Sequence, residues 1–231
     1  MIALAALDIA GTTVDEGGAV YRVLTSVVTD HGVPDVDVRP WMGADKREAL
    51  AALTGDQSAV DDLHAEFVAR LQAAYAATPP VPLPGVPEAL AALRATGVRV
   101  VLTTGFDRTI TDPLLDAVGW KAGEHLDAVV CASEVGGGRP RPDMIHRAME
   151  LTGVTDPARV LVAGDTVLDV RAGLAARAGI VVGVLTGAQT RAELEAEHPT
   201  HVLAGVRDVP SLLAGRQRSP LAGSDSISSC G

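Results

Sequence analysis

The chain has 231 residues, 47% of them apolar and 21% charged, which excludes a disordered polymer and supplies core for one large domain or one domain with a sizeable insert. Its 29 acidic side chains outnumber 19 basic ones, for a formal charge of −10, and no basic cluster occurs, so a phosphate-tracking nucleic-acid groove is not expected. Two Trp, two Tyr and two Phe are too few for a base-stacking platform, leaving a small-molecule substrate as the expected partner.

Residues 2 to 8 (IALAALD) are a short apolar run ending in Asp8, the pattern of a buried parallel strand meeting a loop. Asp8 comes too early for a leader or a membrane span, and Cys131 and Cys230 make no disulfide framework, so a cytoplasmic location is expected. Residues 17 to 78 hold no strand-like run. Three helical pieces are predicted there, from Gly18 to His31, Lys46 to Leu53 and Asp56 to Ala77, followed by the stiff linker TPPVPLP. Beyond it, strand-like runs at 98–103, 127–131, 159–163 and 180–185 alternate with helical segments at 85–96, 107–118, 142–152 and 169–178. The expected fold is α/β, a doubly wound parallel sheet with an inserted α-helical cap. Residues 1–16 and 79–215 form the core domain in this reading, 17–78 the cap and 216–231 a disordered tail.

Ligands of open α/β sheets bind outside the carboxyl ends of the strands, so polar residues at those ends are the candidates for chemistry. They are Asp8, Thr104 with Gly105 behind it, and Asp165 with Asp169 four residues on; the glycine-rich GGGRPRP segment adds Arg139. Singly, each has an ordinary role as a turn former, a solvated loop residue or a charge at a helix start. Together, an attacking carboxylate, a hydroxyl, a cation and an acidic pair suit phosphoryl transfer.

In this order the set resembles the four motifs of the haloacid dehalogenase (HAD) superfamily over residues 1 to about 210. DIAGTTVD carries Ala10 where most of that superfamily has a second aspartate, and Arg139 stands where most have lysine. Both features resemble the phosphonatase (phosphonoacetaldehyde hydrolase) family. So does WMGADKREAL, whose Lys46 falls at that family's imine-forming lysine. Two positions depart from the family: Ala49 replaces a cap histidine and Gly18 a cysteine, so the proton shuttle is either absent or supplied by another group such as Tyr21 or His31, whose ordinary roles are helix packing and a solvated charge at a helix end. The resemblance implies a Mg²⁺-dependent hydrolase with Asp8 as nucleophile and Lys46 as imine former. Thr104, Gly105 and Arg139 would bind the phosphoryl group, and Asp8, the Ala10 carbonyl, Asp165 and Asp169 would form the metal site. A phosphonate or phosphate is the implied substrate, and a homodimer is compatible with it. The alternatives are a phosphatase for a small phosphorylated metabolite and a silent phosphate-binding protein on the same fold. Asp45 and Glu48 suggest a capping box that would place Lys46 at the first helical position, where the dipole favours a neutral amine and the two carboxylates oppose it.

Overall fold

The computed structural model describes residues 1–217. The first apolar run forms β1 (Leu4–Asp8), every residue of which is buried. Successive side chains of a strand point to opposite faces. Accordingly, Ala5 and Leu7 join one apolar cluster and Leu4 and Ala6 another, on the two sides of the sheet.

A helical insert follows. Between β2 (Val14–Asp15) and β3 (Val81–Pro82), which pair antiparallel, lie α1 (Ala19–Asp30), α2 (Lys46–Thr54) and α3 (Val60–Ala77). Val20, Leu24, Val27 and Val28 recur at helical spacing on α1 and share an apolar cluster with Leu63, Phe67 and Leu71 of α3. The third helix starts four residues later than the Asp56 expected from sequence. The Asp56 side chain accepts from the Ser58 and Ala59 amides and holds residues 57–59 in a 3₁₀ turn.

The rest of the chain supplies α4 (Val86–Ala95), β4 (Arg99–Thr104), α5 (Arg108–Val118), β5 (Ala128–Cys131), α6 (Asp143–Thr152), β6 (Val160–Gly164), α7 (Val167–Ala175), β7 (Ile180–Val184), α8 (Arg191–Glu195), β8 (His201–Leu203) and α9 (Val209–Gln217). Six strands make one parallel sheet in the order β5-β4-β1-β6-β7-β8. The chain therefore winds outward from β1 to one edge and then returns to build the other half from β6. The switch point lies between β1 and β6, whose carboxyl ends carry Asp8 and, one residue past the strand, Asp165. Residues 216 and 217, expected in an aperiodic tail, close α9, which packs Val209 and Leu213 into the core beside α4. The remainder of that tail lies outside the described residues. No helix among the described residues is long and apolar enough to cross a membrane.

Candidate active site

Parallel pairing of β4, β1 and β6 sets the strand ends side by side: Asp8 is level with Thr103, and Leu7 with Ala163. Arg139 reaches this point from the loop before α6 and is buried there. Its Nη1 lies 2.9 Å from Asp8 Oδ1 and its Nε 2.6 Å from Asp169 Oδ1. Nη2 donates to the Thr103 carbonyl (3.1 Å) and hydroxyl (2.9 Å). Asp169 is the third residue of α7, in a reciprocal cap with Thr166: the Thr166 hydroxyl donates to its Oδ2 at 2.6 Å. Asp165 precedes the helix and accepts from the Thr12 hydroxyl at 2.8 Å.

One oxygen each of Asp8, Asp165 and Asp169 falls within 4.8 Å of the others, and all three residues are buried. Three carboxylates face Arg139 and Lys46, so one negative charge is left uncompensated. Burial, reinforced by Asp169 and opposed by Arg139, pushes Asp8 up to about 7. Burial and the charges of Asp8 and Asp169 raise Asp165 well above its ordinary value. A hard divalent cation with oxygen ligands would take the place of those protons, and the acidic cluster fits one. Glycines hem the cluster in: a Cβ at Gly11 would stand 2.7 Å from Asp165 Oδ2, and one at Gly187 1.8 Å from it. Ala10 lines the same cavity, and its carbonyl takes no part in the turn's backbone bonds.

The insert closes the site from above. The Asp45 side chain accepts from the Arg47 and Glu48 amides and makes Lys46 the first residue of α2; the Glu48 side chain forms no reciprocal bond. Lys46 is 3% exposed. Its Nζ donates to the Ala44 carbonyl at 2.6 Å and lies 5.5 Å from the centre of the Phe106 ring. Burial lowers the amine from 10.5 to about 8, against the pull of Asp45 and Asp8. That settles the direction left open by the sequence, and about one-tenth of the amine is neutral at pH 7. The Gly43 amide donates to the Tyr21 hydroxyl at 3.2 Å, and the Gly43 carbonyl accepts from Arg139 Nη1 at 3.3 Å. Burial and the nearby Asp165 and Asp8 keep the Tyr21 phenol well above its ordinary value.

Asp8, Ala10, Lys46, Thr104, Gly105, Arg139 and Asp165 line one small cavity of about 20 Å³, room for about one water molecule. Asp169 reaches it through Arg139. Larger hollows of about 570 Å³ beside β5 and 480 Å³ under α9 lie away from the carboxylates, so convergent buried charge marks the site and volume does not. Of the two substitute shuttles, Tyr21 lines the cavity, whereas His31 ends α1 with its Nε2 3.8 Å from Asp56. Ala49 is fully buried, and Gly18 caps α1 at φ 73°, a conformation that disfavours a side chain. Sequence reasoning missed Thr12, Thr103 and Gly187. Thr12 lies inside the DIAGTT motif and could have been found there.

The family model for haloacid dehalogenase-like hydrolases matches residues 2–179. A phosphonoacetaldehyde hydrolase-like protein of Syntrophobacter fumaroxidans is 33% identical over 199 residues, which cover 78% of this chain and 72% of that protein. The N-acetylmuramic acid 6-phosphate phosphatase of Pseudomonas aeruginosa is 30% identical over 172 residues, covering 72% and 74%. A phosphonoacetaldehyde hydrolase-like protein from Oleispira antarctica has the same fold, with a TM-score of 0.79 over 94% of this chain and 93% of that one at 22% identity. The chain belongs to the haloacid dehalogenase-like hydrolases and is an enzyme of that class. Its relatives at about this identity include both phosphonoacetaldehyde hydrolase-like proteins and a sugar phosphate phosphatase.

Proposed function

We propose that the protein cleaves the carbon–phosphorus bond of a small phosphonate aldehyde through a Lys46 imine and an Asp8 phosphoanhydride, with residues 17–78 acting as a cap over the core domain. The observation that carries this reading is a buried lysine that lines one small cavity with Asp8, its amine lowered by burial to about 8. Position 10 in the same loop offers alanine and no acid. A phosphate ester leaves as an alkoxide that needs a proton, and losing a general acid costs about 10²–10⁴ in rate. A phosphonate aldehyde leaves as a carbanion, and an iminium accepts that electron pair directly.

The neutral Lys46 amine adds to the aldehyde carbon and expels water to give the iminium. Asp8 attacks phosphorus, the carbon–phosphorus bond breaks, and its electrons pass into the C–C–N system as an enamine. Protonation of the enamine carbon and hydrolysis of the resulting imine free the aldehyde product and Lys46, while water cleaves the acyl phosphate and restores Asp8. Arg139, released from Asp8 as substrate enters, binds the phosphoryl oxygens with the Thr104 hydroxyl and the Gly105 amide. Asp8, the Ala10 carbonyl, Asp165 and Asp169 would hold Mg²⁺, which supplies charge neutralisation at the phosphoryl oxygens. Cytoplasmic action fits the cysteine usage, and a homodimer is compatible with the proposal.

The test is phosphate release from a panel of phosphonates and phosphomonoesters, with and without Mg²⁺. Preference for phosphonoacetaldehyde, together with a borohydride-reduced adduct on Lys46, is the expected result. Preference for monoesters with no adduct would overturn it in favour of a metabolite phosphatase, the reading that Ala49 and the Pseudomonas relative support.

A further inference from the structure

Imine formation needs more than an amine. The carbonyl oxygen must leave as water, and of water's two hydrogens one starts on the lysine nitrogen and the other must come from a neighbouring acid. Asp8 and Asp165, the carboxyls lining the cavity, belong to the phosphorus end of the site, and few other groups there are free to move those protons. Arg139 is occupied by Asp8, Asp169 and Thr103. The Thr166 hydroxyl donates to Asp169. The Thr104 hydroxyl accepts the Phe106 amide at 3.2 Å and also has its hydrogen without an acceptor among the described residues, but it sits at the core strand end, where the proposed mechanism spends that hydrogen on the phosphoryl oxygens. The Tyr21 hydroxyl remains. It accepts the Gly43 amide, and among the described residues its own hydrogen has no acceptor.

We propose, on the strength of the imine reading above, that the Tyr21 hydroxyl is the proton relay of imine formation at Lys46. The placement suits the task. Tyr21 is on α1 and Lys46 opens α2, and the amide that fixes the phenol belongs to Gly43, three residues before Lys46 in the same loop. Amine and relay are therefore both carried by the insert, while Asp8 and the phosphoryl-binding groups are carried by the core. The aldehyde end of the substrate is handled by one part of the fold and the phosphorus end by the other.

The step balances. Lys46 Nζ adds to the aldehyde carbon, leaving a positive nitrogen and a negative oxygen. Tyr21 gives its proton to that oxygen and takes one from the nitrogen. It then gives a proton to the hydroxyl, the C–O bond breaks with loss of water, and the nitrogen lone pair closes the C=N bond. The phenolate, which burial and the Asp165 and Asp8 charges disfavour, forms only beside the iminium cation, whose charge offsets them, and recovers its proton when the product iminium is hydrolysed.

The experiment is rapid-quench borohydride trapping of the full-length protein with phosphonoacetaldehyde, read as the reduced adduct on the Lys46 peptide, for wild type, Tyr21→Phe and Tyr21→His. The expected result is a trapping rate at least about 100-fold lower in Tyr21→Phe. Tyr21→His, which keeps a donor, should recover part of it. Inhibition by methylphosphonate, which has no aldehyde, should change by less than about threefold in Tyr21→Phe, since binding at the phosphorus end is untouched. Trapping at the wild-type rate in Tyr21→Phe would overturn the relay while leaving the imine reading intact. Equal loss of trapping and of methylphosphonate binding in both variants would assign Tyr21 to packing and also overturn it. Absence of any adduct in the wild type would refute the imine reading, and the relay with it.

Discussion

Replacing Gly105 with alanine tests whether the insert must come down onto the core for turnover. A Cβ at this position would stand 2.4 Å from the Ala44 carbonyl oxygen, 2.9 Å from its carbon and 3.0 Å from the Gly43 oxygen. All three are backbone atoms, and no rotamer change relieves the contact. Ordinary contact starts near 3.4 Å, so Ala44 must retreat by about 1 Å. The strand side cannot yield, because β4 is held between β1 and β5, with Thr104 paired to Cys131. The insert moves instead and takes with it Lys46, whose amine is bonded to that Ala44 carbonyl. A displacement of about 1 Å in a reacting group costs about 100-fold in rate, or about 2.7 kcal/mol of barrier. The assay is kcat/KM on the preferred substrate with thermal unfolding in parallel. Since the clash is relieved by lifting the insert, Tm should fall by less than about 3 °C. Gly215→Ala, whose Cβ meets nothing within 4 Å, is the control and should leave kcat/KM unchanged. Wild-type kcat/KM in Gly105→Ala would refute the reasoning.

Lys46→Met should abolish carbon–phosphorus cleavage and at the same time stabilise the fold. Lowering the amine from 10.5 to about 8 costs about 3 kcal/mol below pH 8, and because the unfolded chain holds the proton more tightly, wild-type stability should rise between pH 8 and 10.5. Denaturant titration at pH 7 and pH 10 checks both signs; a variant no more stable than wild type at pH 7 would contradict the burial argument. Asp8 is raised from 3.8 to about 7, so its contribution to the stability of the metal-free protein should fall as pH climbs through that window, since the folded state is the one that keeps the proton. Mg²⁺ at 100 times its Kd should add about 2.7 kcal/mol to unfolding at pH 7, and the gain should vanish in Asp165→Asn. Asp8→Ala should lose turnover and keep the fold, checked by phosphate release and circular dichroism. A cavity of about 20 Å³ admits no phosphonate, so the insert should move as a body about residues 15–18 and 78–84. Distances between spin labels on α3 and α6 should broaden without ligand and sharpen with vanadate; one sharp distribution in both states would count against the motion.

Five of the six sheet strands were legible because a central parallel strand must be apolar on both faces, leaving uninterrupted runs such as LAALD and RVVLTT. The residues that end those runs were legible for the same reason, since the run stops where the chain meets the ligand crevice. β2, β3 and β8 left no such trace, being two or three residues long and only partly buried. Thr103 and Thr104 both end β4, and strand alternation puts them on opposite faces without saying which one meets the arginine. The state of Lys46 lay beyond the sequence altogether. Its local neighbours Asp45 and Glu48 argue for a charged amine and the helix start for a neutral one; the burial that decides between them comes from the packed site around Phe106, sixty residues away in the chain.

The short ribbon at the root of the insert joins the insert to the turn that carries Asp8. Both strands that join insert to core are paired to each other, and the Leu83 amide is bonded to the Thr13 carbonyl at 3.0 Å, so the two connections behave as one torsion bar. The bar is welded to the turn after Asp8: the Ile9 carbonyl receives the amides of Thr12, Thr13 and Val14, and the Thr13 hydroxyl bonds the Asp8 carbonyl at 2.9 Å. Twisting the bar to lift the insert would therefore load the peptide that carries Asp8, the proposed nucleophile. On the proposed mechanism, opening the site would then also turn the Asp8 carboxylate away from phosphorus, so that attack would be confined to the closed, water-poor state.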